Sequence, residues 1–285
     1  MPDRYRQIDV PVASGDLKVG EWSGAGGAVV LLHGLTGSHV SWQLLAGELP
    51  GYRLLAPDLR GRGRSSDLPG PSGLAAHADD VVAVIREHAD HPVLLVGHSM
   101  GAFVAVVLAE KYRQLVAGVV LVDGGLPFAP AELEHTEAVV ATIRQGLSVT
   151  YPDRAAYLES FRAHPAFAHD WSPEVEAYLD YDLVGEPPRM HRCASIDAVM
   201  ADQDDIVTVD LPAALAGIDV PIRFLHASRG FLDDPPGLYS AETVAGHATR
   251  WPKIGITHVP DVNHYTIAMS RRGAAAVAAA AARLG

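Results

Sequence analysis

The chain has little of what would mark it for export, a membrane or a nucleic acid. Its 285 residues hold one cysteine, Cys193, which excludes an intramolecular disulfide. With no cysteine-protease pattern of His and Asn to go with it, that thiol reads as a packing residue rather than a nucleophile. No stretch reaches the about 18 uncharged apolar residues of a membrane span, and Met1-Pro2-Asp3-Arg4-Tyr5-Arg6-Gln7 lacks the apolar centre of a secretory signal. A soluble, cytoplasmic protein is expected. Basic residues are also scarce: 22 Lys and Arg against 34 Asp and Glu leave a net charge of −12, which argues against nucleic acid or an anionic membrane as partner. A small neutral or weakly charged substrate fits better. His191-Arg192-Cys193 and Asp202-Gln203-Asp204-Asp205 follow no metal-ligand spacing, and the acidic run reads as the solvated face of a helix. No Gly-x-Gly-x-x-Gly opens a helix, and no Lys-Ser or Lys-Thr follows the glycine-bearing turn His33-Gly34-Leu35-Thr36-Gly37, which speaks against nucleotide binding. Neither metal nor cofactor is expected. Nothing in the composition speaks for or against an oligomer.

What is present is a chain 48% hydrophobic and long enough for one large α/β domain with an insertion. In the first half, short β-rich runs at Val29-Val30-Leu31-Leu32, Tyr52-Arg53-Leu54-Leu55-Ala56, Val93-Leu94-Leu95-Val96 and 116–122 alternate with helical stretches at 75–89 and 102–112. That alternation requires a mostly parallel sheet flanked by helices. From about Leu126 to Leu215 the strand-like runs nearly vanish, and prolines break a series of helices at 131–145, 154–163, 173–182 and 193–202. Sheet-like sequence returns at 222–226 and 255–259, and an alanine-rich helix spans 272–284. The expected organisation is an α/β core over 1–125 and 216–285, with a helical cap over 126–215.

The chemistry centres on Gly97-His98-Ser99-Met100-Gly101, where one serine stands between two glycines directly after an apolar run and directly before a helix. In G-x-S-x-G the serine occupies a sharp strand-to-helix turn with its hydroxyl exposed, and the glycines flank it because the turn has no room for side chains. Such a serine needs a histidine to take its proton and a carboxylate to hold that histidine in the useful tautomer. Of 14 histidines, His264 is best placed, just past the last strand and before the last helix. The His33–Gly37 turn follows the Val29 strand, where it can aim one backbone N–H at a developing oxyanion while the residue after the serine aims another. Leu35 and Met100 are the expected donors, with His33 bracing the turn.

Together these features resemble the α/β-hydrolase fold superfamily, in its serine-nucleophile form with a helical cap. His33-Gly34, then Asp58-Leu59-Arg60-Gly61-Arg62-Gly63-Arg64-Ser65, then GHSMG and a late histidine occur in the family's order. In most relatives the acid follows the seventh core strand, about five residues beyond the position of Leu225, and here that slot holds Gly230. Other relatives, haloalkane dehalogenases among them, carry the acid after the sixth strand, where this chain has Asp123 in Val122-Asp123-Gly124-Gly125. Asp123 is therefore favoured, with Asp233 and Asp234 as rivals. A serine at the elbow, rather than the aspartate of dehalogenases and epoxide hydrolases, implies an acyl-enzyme and hence a carboxylic ester or lactone as substrate. Carbon–carbon bond hydrolysis or cofactor-free perhydrolysis on the same triad, or a slow-turnover ligand sensor, are the alternatives. In capped relatives the insertion selects the substrate. The aromatics of this one favour an apolar group, with Trp42, Phe128, Trp171 and Tyr178 as candidate binding residues, and the lack of a cationic cluster argues against a strongly anionic substrate.

Overall fold

The computed structural model describes residues 4–284. The chain runs through β1 (Tyr5–Val12), β2 (Gly15–Trp22), β3 (Ala28–Leu32), α1 (Gln43–Glu48), β4 (Arg53–Pro57), α2 (Leu74–His88), β5 (Val93–His98), α3 (Met100–Lys111) and β6 (Val116–Val122). An insertion follows, with α4 (Pro130–Leu147), α5 (Arg154–Arg162), α6 (Pro165–Ala168), α7 (Pro173–Asp182), β7 (Leu183–Val184), β8 (His191–Arg192), α8 (Ile196–Thr208) and α9 (Leu211–Ala216). The remainder is β9 (Ile222–Ala227), α10 (Ala241–Arg250), β10 (Gly255–Val259), α11 (Thr266–Met269) and α12 (Arg271–Ala281).

Eight strands form one sheet in the order β1-β2-β4-β3-β5-β6-β9-β10; β1 and β2 are antiparallel to their neighbours and all other pairs are parallel. The central strands are continuous apolar runs because both faces are covered. Val30 and Leu32 pack with Val81 of α2 and Phe103 of α3, whereas Val29 and Leu31, pointing the other way, pack with Leu45 of α1 and Val277 of α12. Strand order reverses between β3 and β5, which are neighbours although β4 lies between them in sequence. Side by side at such a switch point, the carboxyl ends of two parallel strands leave a crevice where ligands bind. The His33–Gly37 turn leaves one of those ends and Ser99 the other.

The insertion starts its helices with caps that the sequence supplies. Asp153, Ser172 and Ser195 accept the backbone N–H groups of Ala156, Val175 and Ala198, each worth about 1 kcal/mol to its helix. The helix expected over 193–202 begins later and runs further. Ser195 caps it, His191 and Arg192 pair with β7, and the helix continues to Thr208. Its end is followed by α9, whose Leu211 and Leu215 join α3 in the core. Two elements carry little sequence signal. The hairpin β1–β2 forms an edge whose first strand has half its residues exposed, and α10 buries only His247. Among the described residues no helix is long and apolar enough to cross a membrane.

Candidate active site

Ser99 closes β5 and caps α3 with φ 53° and ψ −123°, a backbone state that side chains avoid. The turn is held by the Ser99 N–H on the Val122 carbonyl and the Ala102 N–H on the Ser99 carbonyl, both 2.9 Å. The flanking glycines are sterically required. A Cβ on Gly97 would overlap the Gly101 carbonyl, and one on Gly101 the Leu32 carbonyl.

His264 sits in the loop between β10 and α11. Its Nε2 lies 3.0 Å from Ser99 Oγ and its Nδ1 2.8 Å from Asp123 Oδ2. A carboxylate only accepts, so Nδ1 carries the proton and Nε2 is left to accept the Ser99 hydroxyl. Asp123 ends β6 at φ 49° and is fully buried, with its other oxygen accepting the Ala227 N–H at 3.0 Å. Its own N–H donates to Leu225 at 2.7 Å. One neighbouring strand, β9, thus holds Asp123 at two points, with its carboxylate against the imidazole. The structure leaves the two rival acids outside the row: Asp233 accepts from Arg229 and Asn263 at 2.7 and 2.8 Å, and Asp234 is exposed.

Two buried histidines brace the site without charge. His98 Nε2–H donates to the His264 carbonyl at 2.7 Å, fixing the loop that carries the imidazole. Burial first, and then the nearby His264, push its pKa down to about 3. His33 Nε2 accepts the Leu59 N–H at 2.9 Å, so its Nδ1–H donates to the Gly34 carbonyl at 2.8 Å. Burial lowers its pKa to about 4. The Leu35 and Met100 amides, both at the cavity over Ser99, have no acceptor among the described residues. Met100 stands in the first turn of α3, where unsatisfied N–H groups and the helix dipole favour negative charge.

Sequence reasoning missed what aims the Leu35 turn. Arg62 is fully buried and donates from Nε to the Leu35 carbonyl at 2.8 Å, while its Nη2 lies 3.8 Å from Met100 Sδ. Its counterion is Asp202 of α8, which also accepts His77 Nε2 at 2.9 Å and the Gly73 N–H at 2.6 Å. The acidic run is therefore not a solvated face. Residues three apart share one side of a helix, and here Asp202 and Asp205 both turn onto the N-terminus of α2, Asp205 taking the Leu74 N–H at 2.9 Å. A buried-versus-exposed acidic face leaves no mark in sequence, and Arg62 looks like any other residue of a structural segment.

The cavity over Ser99 is lined by apolar side chains from core and insertion, including Phe103, Phe128, Val140, Ile206, Phe231 and Leu238, and by no Asp, Glu, Lys or Arg. Of the four aromatics expected there, Phe128 and Tyr178 line it. Trp42 does not: it lies buried behind His98, edge-on at 6.5 Å. Nor does Trp171, which lies under the Arg162 guanidinium at 4.8 Å. Both tryptophans are placed by packing partners that local sequence does not reveal.

A family profile described as alpha/beta hydrolase fold matches residues 27–157. Lipase LipV of Mycobacterium tuberculosis is 34% identical over 174 residues, a match spanning 60% of this chain and 64% of the lipase. A 2-(acetamidomethylene)succinate hydrolase of Mesorhizobium japonicum is 29% identical over 246 residues, 85% of this chain and 83% of that protein. The crystal structure of an E-2-(acetamidomethylene)succinate hydrolase superposes with a TM-score of 0.84 at 23% identity, covering 98% of both chains.

Proposed function

The chain belongs to the α/β-hydrolase fold superfamily, and on that footing we propose that it is a serine hydrolase cleaving a carboxylic ester or lactone through an acyl-enzyme. The observation that carries this reading is the hydrogen-bonded row Asp123–His264–Ser99 opening into a cavity without a charged side chain. Ser99 Oγ attacks the carbonyl carbon as His264 Nε2 takes its proton, and Asp123 stabilises the imidazolium without taking that proton. The carbonyl oxygen becomes an oxyanion facing the Leu35 and Met100 amides. Such a donor is worth about 3–4 kcal/mol of transition-state stabilisation in comparable sites. Collapse of the intermediate breaks the carbon–oxygen bond, His264 returns the proton to the leaving alcohol, and water repeats the sequence to release the acid. An uncharged, aromatic-rich wall gives a neutral acyl or alcohol group its binding energy by burial and offers no counterion beside the scissile bond.

The test is a panel of p-nitrophenyl esters and lactones, with a diketone and an amide alongside, together with labelling by a fluorophosphonate. Ester or lactone turnover is expected, with labelling and turnover both lost in Ser99→Ala. Full activity in that variant overturns the mechanism, and turnover of the diketone or amide alone overturns the substrate class.

A further inference from the structure

A second compartment adjoins the first. Thr36, Ile143, Tyr178, Phe231 and Tyr265 line both, so the partition between them is made of the same side chains that face Ser99. The two differ in charge. Beyond the partition, Arg192 is the only charged side chain among the described residues to line the compartment, and none of the described Asp or Glu lines it, in a chain whose net charge is −12.

Arg192 is presented in an unusual way. It lies in β8, its side chain about 10% exposed, and its Nε donates to Asp182 Oδ2 at 2.6 Å. Its two terminal nitrogens have no acceptor among the described residues. Asp182 is already engaged by the Tyr157 hydroxyl at 2.8 Å and the Cys193 thiol at 3.3 Å, and Phe161 underlies the guanidinium at 5.5 Å. Burial opposes the charge of Arg192, but Asp182, Tyr157 and Tyr178 outweigh it and raise its pKa, so it stays a cation. Two further donors line the same compartment. His164 Nδ1 accepts the Ala166 N–H at 3.2 Å, which leaves its proton on Nε2, and neither that N–H nor the Tyr151 hydroxyl has an acceptor among the described residues. Burial, and then Arg192, lower the pKa of His164 and keep it neutral.

We infer that this compartment binds a carboxylate at the far end of the substrate, so that the enzyme acts on esters or lactones with an apolar middle and a carboxylate terminus. The open fork of a guanidinium matches the two oxygens of one carboxylate, and an arginine fixed at Nε has lost little freedom left to lose on binding. A single charge is the right count. Arg192 brings one positive charge, shared at Nε with Asp182, and the remaining donors are neutral, so one carboxylate matches the compartment better than a doubly charged phosphate. The inference rests on the ester-hydrolase reading for its reaction and on the compartment alone for its ligand.

The experiment compares p-nitrophenyl half-esters of straight-chain dicarboxylic acids, from five to ten carbons, with the same compounds methyl-capped at the far end. At one chain length the free acid is expected to exceed its capped twin at least tenfold in kcat/KM, mainly through KM. That ratio collapses toward one in Arg192→Gln and in Arg192→Gln/Asp182→Asn, which keeps the pair neutral, and is partly kept in Arg192→Lys. Because it is a ratio, loss of fold or of catalytic rate cancels. Thr142→Glu, which adds a negative charge beside the compartment, should lower it without touching the Arg192–Asp182 pair. Equal kcat/KM for acid and cap at every length, or a ratio indifferent to Arg192, overturns the inference. If no ester in the panel is cleaved, the hydrolase reading fails separately. The compartment is then tested by calorimetry of octanoate with the Ser99→Ala protein, where an affinity unchanged by Arg192→Gln overturns it.

Discussion

Asp123 combines three constraints in one residue: a positive φ of 49°, complete burial, and a carboxylate shared between the Ala227 amide and His264. Asn tolerates the same backbone state, so Asp123→Asn tests the carboxylate rather than the fold. The amide presents an N–H or a weaker acceptor to His264 Nδ1 and disturbs the tautomer that leaves Nε2 free for the Ser99 proton. A loss of about 10⁴ in kcat is expected, as for the comparable change in serine proteases. Asp234→Asn, at an exposed position, should stay within about twofold of wild type. Steady-state rates on one p-nitrophenyl ester decide the matter, and the reverse pattern would assign the acid to the loop after β9.

Elements meet at Arg62 and Asp202, which tie the turn after β3 to the segment after β4, to the N-terminus of α2 and to α8 of the insertion. Removing one partner strands a buried charge. Asp202→Ala is expected to cost about 3–5 kcal/mol in urea unfolding. Arg62→Met/Asp202→Leu, which removes both charges and fills the space, should recover part of that stability, the Gly73 N–H and His77 being left without their acceptor. It should not recover kcat, because nothing then draws the Leu35 carbonyl away from the site and its N–H toward it. A double variant with wild-type kcat would show that the turn holds itself. At this scale the sequence was legible where a pattern repeats locally. The apolar runs of β3 and β5 mark buried parallel strands, and Ser172 before Pro173 marks the start of α7. It was illegible where an element is defined by what lies opposite. The acidic residues of α8 read as solvent-facing because nothing nearby in sequence announces Arg62, and α10 passed unread because only His247 is buried.

Across the whole molecule, buried titratable groups set the response to pH. His33 and His98 are held at about 4 and about 3, chiefly by burial, against an ordinary value of 6.5. Below pH 6.5 the unfolded chain binds protons at these residues that the native state refuses. Stability present above that pH is therefore lost as pH falls toward their native values, at about 1.4 kcal/mol per pH unit for each. Asp58 extends the loss. Burial works against its charge, but His39, the Arg64 amide and Tyr181 hold it at about 2 against 3.8, so its contribution disappears between those values. The urea midpoint should fall from pH 7 to pH 5 and go on falling below pH 4, where Asp58 takes over as the contribution of His33 is exhausted; a flat profile over the first interval would mean that the two histidines take up protons in the native state.

The sequence by itself determined the backbone path around the chemistry: a parallel sheet, a serine on a glycine-flanked elbow, a turn able to present an amide, and a histidine in the loop after the last strand. These are local features, because strand, turn and helix propensities act over a few residues and their order survives any rearrangement at a distance. Tertiary structure decided which carboxylate stands behind His264, which aromatics face the serine, and that an arginine of the insertion lies next door with its fork unfilled. Each of those is a meeting of residues far apart in the chain, 141 positions in the case of Asp123 and His264. Such meetings follow from strand order and from how the insertion folds back on the core, and no short pattern of residues encodes either.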